Sequence, residues 1–314
     1  MVLSILLLVV GFLFVTLGSD KVVEGSAAIA KKLKVSDLVI GLTIVSFGTS
    51  SPELAVNIVS SVKGNSDISL GNIIGSNIFN ILVVAGLSAV VKSITVRHST
   101  LRKEIPLSLI AAISILALGN KQPSIITRGD GVVLLLFFAI FMSYIFEMAK
   151  KDREMFEELE KTKEKQISLF TATLYVIGGL AGLVLGGRWI VNGAVDIAKL
   201  FGVSDKLIGL TIVAAGTSIP ELATSLAAVA KGNNEIALGN VIGSNIFNIF
   251  FILGISATIN PISYPTVLNI DVTLLIAITS VLILLSKDLK LGRVEGTLLF
   301  LTYIGYTAYL IYRR

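Results

Sequence analysis

Two matching six-residue strings, Gly48–Glu53 and Gly216–Glu221, hold the groups of this chain that could bind a cation. The first lies inside an apolar run, Val35–Val62, that is long enough to cross a bilayer. A carboxylate at membrane depth is costly and usually functional. The proline in each string has no amide hydrogen, so a backbone carbonyl one turn earlier loses its helical partner. Each string therefore predicts a broken helix with free oxygens beside one glutamate, which a membrane tolerates only where the backbone lines a cavity.

Polar side chains at helical spacing extend both candidate sites. Thr49 and Glu53 are four residues apart, as are Thr217 and Glu221, which places each pair on one helical face. Behind each string, a polar stripe with the same four-residue spacing runs along an otherwise apolar segment. The stripes are Asn72, Ser76 and Asn80 in the first copy and Asn240, Ser244 and Asn248 in the second.

The donor atoms of this combined set are all oxygens. Ca²⁺ accepts six to eight oxygen ligands in tolerant geometry, whereas Mg²⁺ requires a tight octahedron and keeps its waters. The chain has no cysteine and one histidine, His98, which excludes thiolate and histidine-rich metal centres. An oxygen cage therefore favours Ca²⁺ or Na⁺ over transition metals.

A charge count suggests a mechanism. Glu53 and Glu221 are the two acids expected at the centre of the bundle, where adjacent buried carboxylates would repel each other and tend to protonate. One Ca²⁺ neutralises the pair of carboxylates, and two or more monovalent cations do the same. Ca²⁺ and the monovalent cations should therefore compete for this site. If the protein can switch sides only when this charge is compensated, we expect exchange rather than a leak.

The composition is that of a polytopic helical membrane protein. Of 314 residues, 54% are hydrophobic and 15% are charged, and several continuous apolar runs exceed the length of a spanning helix. Continuous runs argue against a β-barrel, whose strands alternate. The net charge of +5 is interpreted as loop lysines and arginines beside anionic lipid, and their scatter argues against nucleic-acid binding. Residues 1–18 lack a basic start and a cleavage site, so a retained first helix is expected.

The apolar runs predict ten transmembrane helices, the second and seventh of them broken. Lys150–Lys165 is densely charged and is interpreted as a short solvated linker, for which a helical conformation stays open. The predicted spans are Leu3–Leu33, Ser36–Val62, Ile68–Val91, Leu101–Leu118, Gly129–Met148, Leu169–Phe201, Ser204–Ala230, Ile236–Ile259, Val267–Leu285 and Gly296–Tyr312.

An internal repeat organises these spans. Val35–Ile81 aligns without a gap with Val203–Ile249, 168 positions later, and 31 of the 47 positions are identical. The chain is therefore predicted to have a first five-helix repeat at 1–149, a charged cytoplasmic linker at 150–167 and a second five-helix repeat at 168–314. An odd number of spans in each half makes the second half enter from the opposite side, which gives the inverted-topology repeat of many alternating-access transporters.

Lysines and arginines predict the orientation. The loops that hold Lys31, Lys92, Arg102 and the Lys150–Lys165 segment are richer in these residues than the opposite loops. That side is expected to be cytoplasmic, which makes the protein a multi-pass protein of the cell membrane with both termini extracellular.

The two blocks that read GTSxPE and then GNxxGSNxxN resemble the α-repeats of the cation/calcium antiporter superfamily, of the prokaryotic sodium/calcium exchanger type. The resemblance covers the whole chain. It implies exchange of Ca²⁺ for Na⁺ by sliding of spans one and six past an eight-helix core. The protein is then a transporter and not an enzyme, without a cofactor, with membrane lipid around it and with no obligatory protein partner.

The resemblance also implies roles for individual residues. It puts Glu53, Glu221 and the backbone oxygens of Thr49 and Thr217 on Ca²⁺. On the flanking Na⁺ sites it puts Ser50, Ser76, Ser218, Ser244 and the carbonyls of Ser46 and Ala214. Asn80 faces the centre from span three, and Asn248 is its equivalent in span eight.

One departure keeps the coupling ion open. Exchangers of this type often have Asp at the position of Asn248, and Asn at both Asn80 and Asn248 is also the pattern of proton/calcium exchangers. An H⁺/Ca²⁺ antiporter on the same scaffold is therefore the alternative, and dependence on K⁺ is a further option. From other classes, a cation channel would need an open polar path. An intramembrane hydrolase would need a base near Ser50 or Ser218, or a pair of aspartates, and the sequence shows neither.

Overall fold

The computed structural model describes residues 2–64, 66–159, 167–202 and 214–312. Within these ranges the chain is an all-helical polytopic membrane protein. Seven helices are long and apolar enough to span a membrane, and a bent pair, Asp37–Thr49 with Ser51–Val62, makes an eighth candidate. The seven are Val2–Leu33, Ile68–Val91, Arg128–Met155, Leu169–Leu200, Asn234–Ile259, Thr266–Leu285 and Arg293–Tyr312.

The helices are labelled in chain order. In the first half they are α1 (Val2–Leu33), α2 (Asp37–Ile40), α3 (Ser46–Thr49), α4 (Ser51–Val62), α5 (Ser66–Phe79), α6 (Gly86–Val91), α7 (Ile105–Gly119) and α8 (Arg128–Leu159). In the second half they are α9 (Leu169–Leu200), α10 (Ala214–Gly216), α11 (Ile219–Ala230), α12 (Asn234–Ile246), α13 (Gly254–Ile259), α14 (Asn269–Leu285) and α15 (Arg293–Tyr312).

Short non-α segments complete the chain. One 3₁₀ turn covers Thr266–Leu268. The π-helical turns are Gly41–Val45, Asn80–Ala85, Thr100–Glu104 and Phe247–Leu253. Two antiparallel ribbons tie the loops together, β1 (Ile94–Thr95) with β4 (Lys290–Leu291) and β2 (Ile125–Ile126) with β3 (Ile262–Ser263).

The helices that carry the polar stripes form the centre of the bundle. In the most apolar stretch of Ile68–Val91, 83% of the residues are buried, and in that of Asn234–Ile259, 94% are buried. In Arg293–Tyr312 the corresponding share is 11%. Each central helix contains a π-helical turn, Asn80–Ala85 or Phe247–Leu253. Such turns occur frequently at functional sites. Spacing alone did not predict them.

The two long helices α1 and α9 meet backbone to backbone through glycines. A Cβ built at Gly18 would lie 2.7 Å from the carbonyl oxygen of Gly179, and one built at Gly186 would lie 2.7 Å from that of Gly11. No side chain fits at these positions. Small residues therefore bring the two helices into contact by the packing that is typical inside membranes.

The predicted break in the second span is present, but it is narrow. α3 ends at Thr49, α4 begins at Ser51, and the two parts meet at 48°. Ser50 alone lies between them, and its N–H still donates to the carbonyl of Ser46 at 3.0 Å. Pro52 stands at the start of α4, where its missing N–H costs nothing. The expected stretch of unwound backbone is therefore reduced to one residue.

Two predicted boundaries differ from the structure or lie outside its described part. α8 continues to Leu159, so the first part of the expected linker at 150–167 is helical, and residues 160–166 lie outside the described ranges. Asp152, on this extension, accepts from the backbone N–H of Ser36 at 2.9 Å, which ties α8 to the start of α2. Residues 203–213, where span seven should begin, also lie outside the described ranges, so the number of ten spans stays a prediction.

Candidate cation site

Glu53 is held in the first turn of α4 and is 1% exposed. Its Oε1 accepts hydrogen bonds from Ser218 Oγ at 3.2 Å and from Ser76 Oγ at 3.3 Å. Ser218 belongs to the second six-residue string and Ser76 to the first polar stripe. The acid is therefore surrounded by hydroxyls from two other segments of the chain.

Glu221 has the matching environment in the first turn of α11. It is 1% exposed, and its Oε1 accepts from Ser50 Oγ at 3.0 Å. Each glutamate thus contacts the serine of the other string. These reciprocal bonds bring the two strings, 168 positions apart in sequence, to one buried place between α4 and α11.

The threonines of both strings contact the asparagines that begin the polar stripes. Thr49 Oγ1 donates to Asn240 Oδ1 at 3.0 Å, and Asn72 Nδ2 donates to Thr217 Oγ1 at 3.4 Å. Thr49 and Asn240 are fully buried, whereas Thr217 and Asn72 are half-buried. The same pairing is therefore made twice, once in the interior and once near a more open region.

The carbonyl of Ser46 is one of the oxygens that the resemblance assigns to a flanking Na⁺ site. Its carbonyl accepts from the Ser50 N–H at 3.0 Å and from Thr49 Oγ1 at 3.3 Å, and Ser244 Oγ contacts it at 3.5 Å. The backbone of Ala214, the equivalent residue, is described only as the first position of α10, and its surroundings lie outside the described part of the chain.

Asn80 and Asn248 contact neighbouring asparagines rather than the glutamates. Asn80 Nδ2 donates to Asn245 Oδ1 at 3.1 Å, and Asn248 Nδ2 approaches Asn77 Oδ1 at 3.5 Å. These partners, Asn77 and Asn245, are the final asparagines of the two GNxxGSN segments. The contacts show that they join the two central helices.

Four buried oxygens of the predicted residues have no donor among the described residues. They are Glu53 Oε2, Glu221 Oε2, Asn80 Oδ1 and Asn248 Oδ1. A buried acceptor without a donor costs about 1–3 kcal/mol, more when it is charged. No group of three or more His, Cys, Asp or Glu side chains occurs in the described ranges. The oxygens therefore suit a cation with hard ligands, held by two carboxylates together with amides and hydroxyls.

Two residues that bond to the first asparagine of each polar stripe, Asn57 and Ser225, were not predicted from the sequence. Asn57 Nδ2 donates to the Glu53 carbonyl and to Asn72 Oδ1, both at 2.8 Å. Ser225, its equivalent in the repeat, accepts from Asn240 Nδ2 at 3.0 Å. Both residues lie four positions after a glutamate on the same helical face, and this spacing is the signal that could have found them.

The profile of the family described as sodium/calcium exchanger protein matches residues 3–147 and 171–312. The chain belongs to the sodium/calcium exchanger family. This exchanger is 32% identical over 351 residues to the sodium/calcium exchanger MaX1 of Methanosarcina acetivorans, covering 98% of this chain and 99% of that protein. It is also 35% identical over 320 residues to the inner membrane protein YrbG of Escherichia coli, covering 99% and 97%.

A solved structure agrees with the family assignment. The exchanger superposes on the sodium-calcium exchanger NCX_Mj, soaked with 100 mM Na⁺ and 10 mM Sr²⁺, with a TM-score of 0.85 and 34% sequence identity, covering 98% of each chain. The relatives named here as exchangers are transporters rather than enzymes. The sequence-based recognition of a membrane antiporter of the cation/calcium type is thereby confirmed.

Proposed function

We propose that this Ca²⁺ antiporter couples the movement of Ca²⁺ to an opposing movement of Na⁺ at a site built on Glu53 and Glu221. The observation that carries the proposal is the buried pair of carboxylates, each with one oxygen bonded to a serine of the other string and one oxygen without a described donor. Two negative charges in a protein interior are stable only when they are compensated.

The ligand set follows from the contacts. Ca²⁺ would take the free carboxylate oxygens of both glutamates with backbone oxygens of Thr49 and Thr217. Na⁺ would occupy flanking sites made by oxygens of Ser46, Ser50, Ser76, Ala214, Ser218 and Ser244. Asn80 and Asn248 would complete the centre through their amide oxygens, which also lack a described donor.

Na⁺ is favoured over H⁺ as the coupling ion because two relatives that cover nearly the whole chain are named as sodium/calcium exchangers. The hydroxyl-rich surroundings of the glutamates also supply neutral oxygens of the kind that hard cations use. An H⁺/Ca²⁺ antiporter is the second candidate, since protonation would compensate the same two carboxylates.

The proposed architecture is two inverted five-helix repeats, at 1–149 and 168–314, joined by a cytoplasmic segment at 150–167. Support comes from paired contacts between equivalent residues. A Cβ at Gly25 would lie 2.6 Å from the Ala172 carbonyl, and one at Gly193 would lie 2.6 Å from the Ser4 carbonyl. Gly25 and Gly193 are equivalent in the repeat, and so are Ser4 and Ala172. Ten spans with both termini outside the cell follow from this arrangement.

The coupling ion is tested by Ca²⁺ uptake into liposomes in which gradients of Na⁺, K⁺ or H⁺ are imposed singly. We expect uptake with an outward Na⁺ gradient at clamped pH and none with K⁺ alone. Uptake with the H⁺ gradient alone would replace Na⁺ by H⁺ in the proposal. Ca²⁺ flux without an opposing ion would indicate a channel.

The site is tested by Glu53→Gln and Glu221→Gln, with Glu24→Gln as the matched control. Glu24 is an exposed acid on α1 that pairs with Lys21. Loss of an outer-shell partner costs a metal site 10–100-fold, so loss of a direct ligand should reduce Ca²⁺ uptake by about 100-fold or more. The control should transport normally. Normal transport by both central variants would refute the two-glutamate site.

A further inference from the structure

Arg188 is a charged residue well inside the apolar helix α9. It lies about 28 Å from the start of that helix at Leu169 and about 18 Å from its end at Leu200. An ionisable residue at such a position is costly and usually faces a water-filled path.

The structure places Arg188 on a cavity of about 200 Å³ beside the candidate cation site. The cavity lies between α9, α4 and the junction of α10 with α11. Arg188 and Asn192 contribute from α9, Pro52 from α4, and Thr217 and Pro220 from the second string. Each of the two prolines immediately precedes one of the central glutamates, and Thr217 is a predicted Ca²⁺ ligand. The cavity therefore borders both strings at the residues next to the two glutamates.

The charge of Arg188 is not neutralised within the described part of the chain. Its side chain is exposed, and no described carboxylate forms an ion pair with it. A cation that enters through the cavity must pass this charge.

The equivalent position in the first half has the opposite sign. It is Asp20, on α1, and its Oδ1 lies 2.9 Å from Lys231 Nζ. This position therefore carries no net positive charge. The repeat places an uncompensated cation at only one of the two equivalent positions on the long helices α1 and α9.

We infer that Arg188 is an electrostatic selectivity residue of the cavity, which weakens the binding of divalent cations from that side more than the binding of monovalent ones. The inference rests on the proposed exchange of Ca²⁺ for Na⁺. Coulomb repulsion is proportional to the charge of the entering ion, so its free energy for Ca²⁺ is twice that for Na⁺. The factor by which Arg188 weakens Ca²⁺ binding is then the square of the factor for each Na⁺.

The consequence is a difference in cation affinity between the two faces of the protein. At a separation on the order of 10 Å in water, the repulsion amounts to about twofold for Na⁺ and about fourfold for Ca²⁺. On the cavity side the protein would therefore bind Ca²⁺ about fourfold and each Na⁺ about twofold more weakly than it would without this charge. The two faces of the protein would therefore differ in apparent Ca²⁺ affinity even though the two glutamates are shared.

The experiment first identifies the membrane face of the cavity. The chain has no cysteine, so Asn192→Cys can be labelled with a membrane-impermeant thiol reagent from one side of oriented vesicles. Ca²⁺ and Na⁺ activation of exchange is then measured from each face for the unmodified protein and for Arg188→Gln. We expect Arg188→Gln to tighten apparent Ca²⁺ affinity about fourfold and Na⁺ affinity about twofold on the labelled face, with a smaller effect at high ionic strength.

Lys199→Gln is the matched control, because it removes one positive charge from α9 at a position that does not line the cavity. It should change the two affinities little. Unchanged affinities in Arg188→Gln, or equal changes for Ca²⁺ and Na⁺, would overturn the inference. If Arg188→Gln does not reach the membrane, Asn192→Asp adds a negative charge to the same cavity and should tighten Ca²⁺ binding, and no change there is equally decisive against the inference.

The proposed function fails separately from this inference. If the unmodified protein takes up Ca²⁺ with H⁺ and not with Na⁺, the coupling ion is wrong, while the effect of Arg188→Gln on Ca²⁺ affinity can still be measured. If Na⁺-driven uptake occurs and Arg188→Gln behaves as the unmodified protein, only the role of Arg188 is refuted.

Discussion

Two equivalent contacts of the polar core differ in how closely they are made. In the tight contact, between Ser46–Ser50 and Asn240–Ser244, Thr49 bonds to Asn240 at 3.0 Å and both residues are fully buried. In the loose contact, between Thr217–Ser218 and Asn72–Ser76, the same pairing is 3.4 Å long and half-buried.

The glycine of the tight contact shows how closely the two segments approach each other. A Cβ at Gly243, in the tight contact, would lie 2.7 Å from Ser46 Oγ and 2.9 Å from the Leu42 carbonyl oxygen. The repeated sequence therefore specifies which residues meet. How tightly they pack is a property of the whole molecule, and two packings of one unit are what an alternating-access transporter needs.

The largest effect should come from filling the tight contact. Gly243→Ala forces a methyl group against the backbone of Leu42, and we expect a loss of about 3 kcal/mol in stability. Gly75→Ala should cost less, because the Thr217–Asn72 bond beside it is longer and half-buried. Thermal unfolding of both variants in detergent measures the difference. Equal shifts in the two unfolding temperatures would show that the contacts are equally close.

A smaller effect should follow from removing the asparagine of each contact. Asn240 accepts from Thr49 and donates to the Glu221 carbonyl and to Ser225, so Asn240→Ala leaves buried polar groups unpaired at a cost of about 2 kcal/mol. Asn72→Ala should cost less, because water can reach its half-buried partner Thr217 and because Asn57 keeps its bond to the Glu53 carbonyl. Amide hydrogen exchange in α11, which carries Glu221, and in α4, which carries Glu53, would measure the loss of stability in each variant. A larger loss for Asn72→Ala than for Asn240→Ala would contradict this expectation.

The smallest effect should come from the ion pair between Asp20 and Lys231. The two side chains are 48% and 38% exposed, so the pair should contribute less than about 1 kcal/mol and weaken with salt. The equivalent positions, related by the 168-residue repeat, are Arg188 and Lys63, which have the same sign and cannot pair. A double-mutant cycle with Asp20→Asn and Lys231→Gln measures the coupling, and a value well above 1 kcal/mol would make this pair a main determinant of the asymmetry.

Most of the site could be predicted from sequence because its signals are local or repeated. Pro52 ends one helical segment by its missing N–H, and the four-residue spacing of Asn72, Ser76 and Asn80 fixes a face of one helix. Because each string occurs twice, both carboxylates were found. The extent of the break was overestimated, since Ser50 still bonds to the Ser46 carbonyl. The sequence also left open whether the charged segment is helical, because charge density alone does not separate a solvated helix from a linker, and α8 continues to Leu159.

The sequence by itself determined the membrane class, the family and the residue types that surround the two glutamates. It could do so because hydrophobic length and helical spacing are properties of consecutive residues. Only the tertiary structure decided that Ser50 bonds to Glu221 and Ser218 to Glu53, and that Arg188 lines a cavity beside them. It also decided that one of the two equivalent threonine–asparagine contacts is shorter and more buried than the other. Those facts depend on how distant helices pack against each other, and the periodicity of one segment carries no information about the distance to another.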